Sequence, residues 1–192
     1  MGHSIAQRDN GRTAFVDDVN GGDAFTIGPP MDAGTGITTG TGTVYRSSVN
    51  KAGGIITTRI LIDLTGLSSN VVSDIIGVAA TANCHIGKVI AADSGTILAG
   101  RMTCLEAPAG GEPDIDLWAA DEGTGAEDTA ITALTNDQIV VTSGADWTLG
   151  LEKFLVVPPG AGQHLYLVGG GGTTDAVYTA GKFFIELEGY AA

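Results

Sequence analysis

The sequence predicts an all-β chain, an antiparallel two-sheet sandwich of jelly-roll-like form with an extended N-terminal arm. Three observations carry the expectation. From residue 44 onward, apolar and polar residues alternate with a period of two in about eight short runs bounded by Gly, Pro, Asn and Asp clusters. The 192 residues include 30 glycines and only 6% aromatics, a composition of turns rather than helices. No helical pattern reaches the ten or more residues that crossover helices of an α/β sheet require.

Residues 1–43 form the expected arm and residues 44–192 the sandwich domain. Gly, Thr and Asp dominate the first segment, and its apolar residues stand apart as Phe15 with Val16 and Phe25 with Ile27. Such a stretch cannot build a core alone. Its spacing suits anchors that each fill a pocket on another surface, so these four residues are the candidate partner-binding positions. Pro29 and Pro30 stiffen the segment, and GTGITTGTGT at 34–43 reads as a linker, because a phosphate loop would need a Lys and a strand-then-helix setting.

The sandwich opens on IITTRILIDL. Ile56, Thr58, Ile60, Ile62 and Leu64 fall on one face, and Thr57, Arg59, Leu61 and Asp63 on the other, the pattern of a half-buried strand. Further runs lie at Ile86–Ala91, Ile97–Leu105, Asp114–Ala119, Gln138–Thr142, Phe154–Val157, His164–Val168 and Lys182–Tyr190. Residues 67–77 read as a short helical turn or a loop into a strand, and residues 127–135 as one helical turn or another strand.

Charge narrows the function. Nine Lys+Arg against 22 Asp+Glu give a net charge of −13, which repels nucleic-acid backbones and anionic membranes. At 43% hydrophobic, 16% charged and a mean hydropathy of +0.22, the chain has the composition of a folded domain. No apolar run approaches the ~20 residues of a membrane helix. The N-terminus also lacks the apolar stretch of a secretory signal, so the product is expected to stay where it is made or to leave as part of something larger. Cys84 and Cys104 lack zinc spacing and read as small buried hydrophobes, with a disulfide between them as the alternative.

Catalytic footprints are sparse. The sequence has no GxSxG, HExxH or Walker-type loop, and His3, His85 and His164 are widely separated. Asp114 and Asp116 share a strand face, a spacing that can seed a Ca²⁺ site, but the following residues lack the loop that would complete one. They read as a solvated face, as do Glu186 and Glu188. Gly169–Gly172 reads as a hairpin loop. The expectation is therefore a chain that is not an enzyme, with no catalytic, cofactor-binding or metal-binding residues.

Three phrases carry a resemblance: AGGIITTRILIDLTGLSS, then HIGKVIAADSGTILAGRMTCLEAPAGGEPDIDLWAADEGTG, and the ending LYLVGGGGTTDAVYTAGKFFIELEGY. Over about residues 52–192 the chain resembles the small head proteins of marine tailed bacteriophages, which decorate or cement the capsid. The resemblance implies an all-β body, a homotrimer, the major capsid protein as partner, and a place on the capsid exterior after assembly in the host cytoplasm. It transfers no site residues. The alternative reading is a carbohydrate-binding or receptor-binding module of a phage tail or fibre.

Overall fold

Alternating sequence becomes strand wherever one face can be buried, and the computed structural model shows this along most of the chain. It describes residues 30–69, 71–172 and 175–190, together with the backbone of 7–9, 12–15 and 25–28. The strands are β1 (Gln7–Asp9), β2 (Arg12–Phe15), β3 (Phe25–Gly28), β4 (Val44–Ala52), β5 (Ile55–Asp63), β6 (Ser68–Ser69), β7 (Gly87–Lys88), β8 (Thr96–Ala109), β9 (Ile115–Ala120), β10 (Gln138–Val141), β11 (Glu152–Phe154), β12 (His164–Gly169), β13 (Ala176–Val177) and β14 (Ala180–Tyr190). The helical elements are single turns: α1 (Thr35–Thr38), α2 (Ala91–Ser94) and a 3₁₀ turn at Ile131–Ala133.

The strands form two principal antiparallel sheets, so the all-β sandwich is present. The larger has the order β1-β2-β3-β4-β5-β14-β8-β11, and the smaller β10-β9-β12-β7; β13 and β6 pair separately. β4 and β5 join through Gly53 and Gly54, with φ of 60° and 76°. Two consecutive left-handed residues make the tight turn that suits the right-handed twist of a hairpin, and glycine adopts them without strain. β14 lies between β5 and β8, in register with both over most of its length and shifted against β8 by irregularities.

The core lies between the sheets. Ile60, Ile62 and Leu64 of the β5 region, Met102 and Cys104 of β8, and Phe183, Ile185 and Leu187 of β14 meet Ile115, Leu117, Leu165 and Leu167 of the smaller sheet, all fully buried. Trp147 ties the layers together. Its Nε1 donates to the Ile115 carbonyl at 2.7 Å, and its ring meets Phe183 edge-on at 5.2 Å. Along one margin the chain crosses between sheets: β11 pairs with β8, Leu155 N donates to the Gly100 carbonyl, and Val156 N donates to Val140 of the smaller sheet.

Several local expectations are revised. The stretch at 34–43 is not a linker, because Gly36 and Ile37 are buried and α1 hydrogen-bonds to the 83–85 segment through Gly34 N and Gly36 N. With Met31 also buried, the core reaches upstream of the boundary placed at residue 44. The run at 86–91 yields only β7 before α2 begins, and the run at 154–157 has its strand earlier, at β11. Residues 127–135 contain a helical turn, whereas the described part of 67–77 forms β6 and bridges at Asp74 and Ile75. Cys84 and Cys104 are both buried and unbonded to each other.

Candidate functional site

Three places bring together side chains that the sequence keeps apart. The first is a cleft of about 240 Å³ at the end of the sandwich where residues 30–32 meet β7, α2 and β12. Tyr45 of β4 places its hydroxyl 2.8 Å from the Met31 carbonyl and 2.7 Å from that of Ile86, while Ser47 Oγ donates to Met31. These contacts fasten one wall, and burial pushes the Tyr45 phenol well above its ordinary range. His85 and His164 line the cleft in edge-to-face contact, with ring centroids 4.9 Å apart, and Lys88, Asp32, Asp93 and Ser94 complete its polar lining.

Sequence separation had argued that the histidines are dispersed, and for this pair the fold overturns that argument. β12 pairs with β7, setting His164 opposite Lys88 and so beside the segment that carries His85. His164 Nδ1 lies 3.0 Å from the Asp121 carbonyl, which assigns it the proton and leaves Nε2 with its lone pair. His85 Nδ1 is buried without a hydrogen-bond partner among the described residues. Burial, followed by the charges of His164 and Lys88, lowers His85 to about 4, and burial also lowers His164. Both imidazoles are therefore neutral near pH 7. Among the described residues, no group of three or more His, Cys, Asp and Glu is arranged to hold a metal ion.

The second place corrects the reading of Asp114 and Asp116 as a solvated face. Asp116 is only 8% exposed, because the 143–147 segment covers that side of β9: Ser143 N donates to Asp116 Oδ1 at 2.8 Å and Trp147 N to the Pro113 carbonyl. Asp114 sits beside it, with Oδ1 buried and without a partner. Burial raises both carboxyls, and for Asp114 the neighbouring charges of Asp116, Glu112 and Asp146 raise it further. Gly170 closes over them: a β-carbon there would lie 2.5 Å from Asp114 Oδ1 and 3.0 Å from Asp116 Oδ1. Glu186 is likewise buried rather than solvated, receiving Arg59 Nε at 2.7 Å and Arg101 Nη2 at 2.9 Å, whereas Glu188 is exposed.

The third place is an apolar surface. Leu149 and Phe154 are 74% and 67% exposed, and Val156 and Val157 are also exposed, all along the segment that crosses between the sheets. Leu155, between them, packs against the core. This is strand-like alternation with apolar residues on both faces, so burying one face leaves the other apolar and wet. The run FLVV carried the signal, but the side that faces solvent depended on the sheet edges it joins.

Of the partner-binding positions expected from sequence, Val16 lies outside the described residues. Phe15 is paired with Phe25 across β2 and β3, and Ile27 with Asn50 across β3 and β4. The backbone thus brings Phe15, Phe25 and Ile27 to neighbouring register positions of one sheet. No protein-family model matches the chain, and no curated protein or solved structure matches it.

Proposed function

We propose that the chain is a virion structural protein that decorates and stabilises a bacteriophage capsid by binding the major capsid protein, and that it does so as an oligomer. The observation that carries the reading is the crossing segment, where Leu149, Val156 and Val157 stand exposed on an otherwise acid-rich molecule. Large apolar side chains held on a rigid sheet margin are the features of a protein-binding surface. Each such side chain contributes roughly 1.5–3 kcal/mol when fully buried, so several together offset much of the cost of association.

The carbohydrate alternative looks for exposed aromatic platforms. Trp147 is buried and Trp118 packs against the core, so neither tryptophan presents an open stacking face. Co-sedimentation with undecorated capsids tests the proposal. The full chain should pellet with capsids, and Leu149→Lys and Val157→Lys should lose that binding while keeping the wild-type melting temperature. Binding unaffected by both substitutions would remove the crossing segment from the interface. Failure of the wild-type chain to bind any capsid offered from its own phage would end the capsid reading.

A further inference from the structure

We propose that the outer face of the eight-stranded sheet is a self-association surface whose occupant is a second copy of this chain. The proposal is independent of capsid binding and rests on register, charge and area.

Pairing register aligns one apolar row across the strands. Ala52 of β4 is opposite Ile55 of β5, and Ile55 is opposite Tyr190 of β14. Ile55 and Tyr190 are 49% and 41% exposed, and Leu98, at the β8 irregularity next to Tyr190's neighbour Gly189, is 58% exposed. Phe154 and Ala99 line a shallow depression on the same face with Glu188. The outer face of the sheet therefore carries an apolar band along its end, formed among the described side chains by Ile55, Leu98 and Tyr190.

Charge selects the occupant. By register, the outer-facing positions of β4, β5, β8, β11 and β14 hold four Lys/Arg (Arg46, Arg59, Arg101 and Lys182) and five Asp/Glu (Asp63, Glu106, Glu152, Glu186 and Glu188), near balance, leaving five cations and seventeen carboxylates to the rest of the chain. Two copies that meet through the acidic parts repel each other. On the outer face, opposite signs are already interleaved: Arg59 and Arg101 on Glu186, Arg101 on Glu152, and Lys182 on Asp63 and Glu106. A mixed-sign surface can meet its own copy without net repulsion and offer each charge an opposite one. The area is adequate. Five strands at about 4.8 Å spacing and about nine residues at 3.3 Å give a face of roughly 700 Å², close to the ~800 Å² each partner contributes to a stable interface.

Sedimentation equilibrium of the full chain tests this, with Ile55→Glu, Leu98→Glu and Tyr190→Glu on the face and Leu149→Glu off it. All four positions are exposed, and circular dichroism with thermal melting verifies that each variant is folded. The wild type should self-associate. The three face variants should each weaken association about tenfold or more, and Leu149→Glu should leave it unchanged. Raising salt from about 0.05 to about 0.5 M should strengthen association, because screening relieves the repulsion between the acidic remainders. A monomeric wild type, face variants that associate like the wild type, or sensitivity confined to Leu149→Glu would each overturn the proposal. So would a monomer whose capsid binding is lost in the three face variants, since that result gives the face to the capsid protein.

Discussion

The two sheets solve burial in opposite ways. β5 of the large sheet keeps one face in the core and the other in water, its buried positions alternating with half-exposed or exposed ones. In the small sheet, β12 is buried from Leu165 to Gly169 without interruption and β9 at every position except Trp118. One sheet has a solvent face to use, and its charges interleave there. The other is covered by loops on its second face, so its carboxylates, such as Asp116, are drawn under protein. Interaction surface is therefore to be sought on the large sheet and its margin, and electrostatic tension in the small one.

The sharpest break in this comparison comes from the residue that joins the sheets. Trp147→Ala should cost about 3–5 kcal/mol in urea denaturation, and Trp147→Phe distinctly less, since it keeps most of the contact with Phe183 while losing the bond to Ile115. Next, Glu186→Ala should cost about 1–2 kcal/mol, because Arg59 and Arg101 are both partly solvated and recover water when their partner is lost. That loss should shrink at high salt.

A smaller effect is expected from acid at the cleft. With its folded value lowered to about 4 from the ordinary 6.5, His85 takes a proton more readily in the unfolded chain. Its contribution therefore favours unfolding as pH falls from about 6.5 to about 4. His85→Asn should flatten the stability profile in that window, as read by thermal melts across pH. The smallest change should come from Asp114→Asn, which raises the melting temperature by roughly 1–3 °C at neutral pH. Asp114 is raised by burial and by neighbouring carboxylates, so its charged form opposes folding above its folded value. The gain should disappear in acid, where the wild-type carboxyl is already protonated.

This difference between sheets also explains what the sequence could and could not show. Ile56, Thr58, Ile60 and Ile62 alternate with solvated neighbours, so β5 was legible as a half-buried strand from its own residues. The alternation in DIDLWA was legible too, but the burial of Asp116 depends on Ser143 and Trp147, far along the chain. The His85–His164 pair depends on β7 meeting β12, a pairing that no local spacing encodes. Gly36 and Ile37 were hidden in a Gly/Thr-rich stretch whose composition resembles a linker; what orders it is packing against the 82–84 segment, where a side chain at Gly36 would strike Cys84 Sγ.

The position of β14 has a consequence for synthesis. It emerges from the ribosome after every other described strand, yet β5 and β8 on either side are hydrogen-bonded to it rather than to each other. Until residues 180–190 arrive, both neighbours carry open edges and Ile60, Ile62 and Met102 lack the Phe183–Leu187 wall of their core. Completion of the large sheet must wait for these residues, and a chain halted before residue 180 presents unpaired apolar strands that invite aggregation or proteolysis. Insertion of β14 thus closes the gap between β5 and β8 in the large sheet.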